Sequence, residues 1–170
     1  MGLRAVRRGY HVIAVYHPSG YGVLSEEMLG QALPDFPQYS YTYGQNRLHR
    51  LAVMAGGRTL LGLDMMAASR GVDLLVSRAD VDRSRVGMYG LSQGGTTSLY
   101  LASMDERIRA SVASASFSCR ILQMIGPSRA GSYLDSPEED KFFPDLIPLF
   151  SDGEVASLIA PRALAVEAGE

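Results

Sequence analysis

Arg85-Val86-Gly87-Met88-Tyr89-Gly90-Leu91-Ser92-Gln93-Gly94-Gly95 is the stretch on which the reading of the whole chain turns. Arg85–Tyr89 has the composition of a buried strand that closes at Gly90. Gly90, Ser92 and Gly94 then stand in G-x-S-x-G spacing, which Gly95 extends, and Thr96–Ser103 suits a helix. Passing from strand to helix in so few residues demands a very tight turn, with Ser92 at its apex in a strained backbone conformation. A Cβ on either flanking glycine is expected to collide with the neighbouring chain, which accounts for Gly90 and Gly94. The turn exposes the Ser92 hydroxyl at the C-terminal end of a sheet strand. The helix behind it points its positive dipole end at charge developing beside that hydroxyl. This geometry suits a nucleophile in acyl transfer, with the Gln93 amide as one donor to the oxyanion. The competing reading is a glycine-rich structural turn; the strand before it and the helix after it favour the nucleophile.

Outward from the turn, short apolar runs alternate with longer amphipathic ones, the pattern of βαβ units. His11–Tyr16, Ile108–Ser114 and Ala163–Glu167 are the other expected strands, and their near-continuous apolar character predicts burial on both faces of a parallel sheet. Leu61, Met65, Ala68, Val72 and Leu75 recur at spacings of four and three and predict a helix. A further helix is expected over Asn46–Met54, and Asp80–Ser84 marks the turn into the Val86 strand. Ser151 and Glu154 stand at capping-box spacing and open a short helix to Ile159. Residues 116–150 hold four prolines and suit an irregular, lid-like excursion. The fold class is α/β, a mostly parallel sheet flanked by helices, in one domain over 1–170.

Composition excludes several classes. With 170 residues, 46% hydrophobic and 20% charged, the chain is globular in character. Its formal net charge of −2 leaves no electrostatic footprint for nucleic acid. No apolar run approaches the roughly 18 residues of a spanning helix, which argues against a membrane protein. Met1–Arg8 carries charge where a signal peptide needs an apolar core, so a cytoplasmic location is the default. The one cysteine, Cys119, cannot close an internal disulfide; it is expected to be a small buried hydrophobe rather than a rival nucleophile. No Cys/His cluster has zinc-ligand spacing, so no metal is expected.

Arg78 through Gly95 resembles the elbow region of α/β-hydrolases in the dienelactone hydrolase and acetyl xylan esterase branch. Leu101–Ile108 resembles the segment that follows there, Leu158–Glu170 the strand leading to the catalytic acid, and Arg7–Ala14 a helix-to-strand passage one unit earlier. The resemblance implies hydrolysis of small-molecule carboxylic esters, often acetyl esters of sugars. It implies an acyl-enzyme on Ser92 and a Ser-Asp-His triad without cofactor. It places the acid about two residues beyond Glu170 and the histidine later still. His11, His17 and His49 all precede Ser92. It also places an interior strand between the Val12 and Val86 strands, from residues ahead of position 1. The expectation is therefore a partial α/β-hydrolase fold lacking the N-terminal strands and the C-terminal acid and histidine segment. Such a chain should have little activity by itself, because a serine at its free pKa is a weak nucleophile. Its open strand edges should favour homo-oligomers. His17 and Tyr21, following the first strand, are candidates for the substrate side, and Glu167 and Glu170 are candidate surrogate acids. Two rival readings remain: a prolyl-oligopeptidase-type peptidase, which shares the elbow, and a non-catalytic remnant that keeps the sheet without the base.

Overall fold

In the computed structural model, which describes residues 2–15, 49–56, 58–125 and 149–168, three strands make one sheet in the order β1-β2-β3. β1 (Gly87–Leu91), β2 (Ala110–Ser114) and β3 (Ala163–Glu167) are all parallel. Gly87 lies opposite Ala110, and Ala110 opposite Ala163. The parallel sheet agrees with the apolar pattern, but β1 is shifted from its expected bounds. Arg83–Arg85 form a 3-10 turn instead, capped by Asp82, whose carboxylate accepts the Ser84 amide at 2.9 Å and the Ser84 hydroxyl at 2.6 Å. β1 therefore starts later and runs to Leu91, directly against Ser92.

The fourth expected strand is corrected. His11–Val15 joins no ladder among the described residues, and Tyr16 lies outside them. A strand needs a partner backbone, which local composition cannot supply. The apolar side chains are used differently: a Cβ on Gly71 would lie 3.1 Å from Val15 Cγ2 and 3.6 Å from Ile13 Cγ2. The burial expectation is also narrowed. Ser111, Ala113 and Ser114 of the middle strand are buried, whereas most of β1 and β3 is exposed, as edges are. Val86 O accepts the Arg109 amide and the Ser92 amide reaches Ser114 O, both at 2.8 Å. The even positions of β1 thus face β2, and Gly87, Tyr89 and Leu91 turn their amides and carbonyls to an edge with no strand partner among the described residues.

Five helices carry the labels α1 (Gly2–Val6), α2 (Leu60–Ser77), α3 (Gln93–Met104), α4 (Arg120–Ile125) and α5 (Asp152–Ser157), and residues 49–54 are also helical. In α2 the expected stripe buries Leu61, Ala68 and Val72. The capping box forms as the spacing predicts: Ser151 Oγ accepts the Glu154 amide, and Glu154 accepts the Ser151 amide at 2.7 Å. α3 packs on β1, β2 and α5. Leu99, Ala102, Ile108, Ala113 and Ile159 are essentially solvent-free around this contact. Within it Ser98 Oγ and Ser111 Oγ lie 2.8 Å apart, and Ser111 Oγ also reaches Ser98 O at 3.1 Å.

The far end of α3 is closed by one side chain. The Arg162 guanidinium donates to the carbonyls of Ala102 at 2.6 Å, Ile108 at 2.9 Å and Asp105 at 3.0 Å, taking up orphan acceptors of the helix end. Arg107 bridges Asp105 and Asp73, each at 2.7 Å. Its hydrogen bonds are the largest cause holding both carboxyls below the ordinary carboxylate range.

The described residues of 1–16, 65–118 and 151–170 form one compact unit, and those of 17–64 and 119–150 another. The expected excursion over 116–150 falls mainly on residues outside those described. No helix among the described residues is long and apolar enough to cross a membrane.

Candidate active site

Ser92 occupies the junction of β1 and α3 with φ 55° and ψ −120°. Positive φ in a residue with a Cβ costs on the order of 1–3 kcal/mol and persists only where the surroundings impose it. Here both backbone polar groups are committed. The Ser92 amide donates to Ser114 O at the end of β2, and Ser92 O accepts the Thr96 amide at 3.1 Å in the first turn of α3. The side chain makes no capping bond to the helix and the residue is exposed. The backbone is thus fully used to hold the turn while the hydroxyl is left outward. Gln93 opens α3 and is half-buried, so its amide belongs to the first turn, where helix N–H groups point along the axis.

The flanking glycines are not equivalent, which corrects the expectation. A Cβ on Gly90 would overlap the Gly94 carbonyl and approach Gly95 N. A Cβ on Gly94 would meet nothing within 4 Å. The second crowded position is Gly95, where a Cβ would lie 2.5 Å from both Ser114 O and Ser116 Oγ. The turn is therefore closed by Gly90 and Gly95, because β1 crosses α3 at one and the end of β2 crosses it at the other.

The segment after β2 is pinned beside this turn. Ala115 has φ 51°, and its amide donates to Glu167 O at 2.8 Å. Ser118 donates its amide to Asp152 Oδ2 at 3.0 Å, and Tyr100 donates its hydroxyl to Asp152 Oδ1 at 3.0 Å. Asp152 is 1% exposed. Sequence reading placed Asp152 only as the residue inside a capping box; nothing local signalled that its carboxylate turns inward.

Of the expected site residues, Ser92, Gln93, Gly90, Gly94 and Gly95 are brought together, and His17, Tyr21 and Glu170 lie outside the described residues. His11 Nε2 stands 3.8 Å from Asp80 in the turn before β1, both half-exposed. His49 is buried. Glu167 ends β3 with its side chain exposed. Cys119 is corrected: it is exposed rather than buried, because it precedes α4, where its carbonyl accepts the Gln123 amide.

A strand, a strained serine and a helix in this order fit a family comparison. The family model of the acetyl xylan esterases (AXE1) matches residues 2–135. The chain belongs to this family. In the Bacillus subtilis (strain 168) protein YtaP, whose name calls it a hydrolase, 108 residues align at 31% identity, 62% of this chain and 34% of that one. Among solved structures, a promiscuous CE15 esterase from a marine bacterial metagenome is similar with a TM-score of 0.46 and 20% identity, over 65% of this chain and 30% of that one. A glucuronoyl esterase from Solibacter usitatus gives a TM-score of 0.45 and 23% identity, over 64% and 30%. The chain spans about a third of the length of the relatives it matches. Family membership, the parallel sheet and the strand–serine–helix unit make this an esterase-like α/β-hydrolase domain, in part.

Proposed function

We propose that Ser92 is the nucleophile of a carboxylic ester hydrolase, with an acetyl ester of a sugar as the substrate class that the family suggests. The observation that carries the reading is the exposed Ser92 held at φ 55° between β1 and α3. A structural turn has no need to hold a Cβ-bearing residue there, whereas attack on a carbonyl needs the hydroxyl clear of its own backbone. Ser92 Oγ would bond to the acyl carbon while its proton passes to a base and the C–O bond to the alcohol breaks. Water would then release the acid and restore the serine. The Gln93 amide, in the first turn of α3, would donate to the oxyanion.

Serine is unactivated without a base, and the three histidines of the 170 residues all precede it. The 170-residue chain by itself should hydrolyse esters at least about 10³-fold more slowly than an enzyme with a complete triad. The test joins fluorophosphonate labelling, mapped by peptide mass, with turnover of a chromogenic acetate ester. An adduct on Ser92 that Ser92→Ala removes, with little turnover, supports the reading. Labelling needs a base to take up the serine proton, so it is run with added imidazole; a folded chain silent at Ser92 even then supports the non-catalytic remnant. Turnover at an ordinary esterase rate overturns the expected inactivity.

A further inference from the structure

We propose that Asp152 is a positioning residue for the turn that carries Ser92, acting through the segment 114–118. The segment touches that turn at two places: Ser114 O receives the Ser92 amide, and Ser114 O with Ser116 Oγ press so closely on Gly95 that no Cβ fits between them. Beyond those contacts the segment is tied twice. Ala115, at φ 51°, donates its amide to Glu167 O, and Ser118 donates its amide to Asp152 Oδ2.

The Ser118 tie differs from the Ala115 tie in its origin. It comes from a side chain 34 residues away along the chain, on a helix outside the sheet. Asp152 is 1% exposed, and its second oxygen receives Tyr100 Oη from α3, the helix that begins at Ser92. One carboxylate thus fixes the segment that closes the turn from one side and the helix that closes it from the other. The strained backbone of Ser92 lies between these two, and strain of this kind survives only where its surroundings are held. The consequence for catalysis rests on the reading of Ser92 as nucleophile; the consequence for backbone geometry does not.

The experiment is residue-resolved amide hydrogen exchange on the 170-residue chain. Asp152→Ala should speed exchange at Ser92, Ala115 and Ser118 by about tenfold or more relative to Ala113 and Leu99, because the opening is local rather than global. Asp152→Asn should stay close to the unmodified chain, since its carbonyl can accept from Ser118 while its amide donates to Tyr100 Oη. Tyr100→Phe removes the hydroxyl from Asp152 Oδ1 and leaves the Ser118 tie, so it should speed exchange at Ser92 while Ser118 stays close to the unmodified chain. In case Asp152→Ala does not fold, the unmodified chain supplies a second measurement: in mild denaturant the three amides should exchange with one common opening. Separate openings, an acceleration spread evenly over β2 and α3, or no change at Ser92 would each overturn the proposal. Failure of the fluorophosphonate to label Ser92 with imidazole present would remove the hydrolase reading and leave the exchange result standing.

Discussion

Gly90 and Gly94 are interchangeable in the motif that names them, yet the structure predicts that alanine at these two sites moves stability in opposite directions. A Cβ on Gly94 meets nothing within 4 Å, and Gly94 lies in the first turn of α3. There alanine gains up to about 1 kcal/mol over glycine by restricting the unfolded chain. A Cβ on Gly90 overlaps the Gly94 carbonyl, a backbone group that cannot swing aside as a side chain can. Overpacking costs about 1–3 kcal/mol even where relaxation is possible, so Gly90→Ala belongs at or beyond the top of that range. For a chain of this size 1 kcal/mol moves Tm by about 2–4 °C. Gly94→Ala should therefore raise Tm, by at most about 2–4 °C, and Gly90→Ala should lower it by about 6–12 °C or prevent folding. Calorimetry of the two variants beside the unmodified chain decides the matter. If both fall equally, or if Gly94→Ala is the worse, the assignment of crowding to Gly90 and Gly95 is refuted.

Three further outcomes follow from the geometry. Arg162→Ala removes the Nη1 donor shared by the carbonyls of Ala102, Asp105 and Ile108, and should cost about 2 kcal/mol or more in urea denaturation; a neutral result would show that the helix end is satisfied otherwise. Asp73 and Asp105 have lowered pKa values, chiefly through hydrogen bonds from Arg107, so their contribution to stability is present above the unfolded carboxylate pKa and is lost as pH falls through the folded values. Urea midpoints should hold above about pH 5 and fall below about pH 4, and Arg107→Gln should flatten that acid limb. The β1 edge, which has no strand partner among the described residues, should make the chain associate as concentration rises, with Tyr89→Lys shifting light-scattering mass towards the monomer; a monomer at every concentration would count against it.

What the amino-acid sequence discloses is what is settled within a few residues. The β1–Ser92–α3 passage, the stripe Leu61–Ala68–Val72 and the Ser151–Glu154 box each depend on spacing along one segment, and each is found, although β1 runs two residues later than expected and α3 begins three residues earlier. His11–Val15 has a strand's composition, but whether it pairs depends on a backbone elsewhere in the chain. The role of Gly95 was legible only as an extension of the motif, because the atoms that crowd it, Ser114 O and Ser116 Oγ, arrive from beyond β2. Asp152 and Arg162 were missed for the same reason: their partners lie on α3 and in the segments flanking β2, and no local pattern announces them. Cys119 went the other way, because burial by residue type is a tendency that a helix start overrides.

The two serines between α3 and β2 carry a consequence of their own. Apolar side chains would let a helix rest on a sheet in several rotations of similar energy, whereas Ser98 and Ser111 satisfy each other in only one. Any slide or roll of α3 would strand both hydroxyls in a dry layer, which penalises every mismatched docking. The pair therefore works as an index mark. The bearing of the helix that begins at Ser92 is set in part by two small polar groups buried where it meets β2.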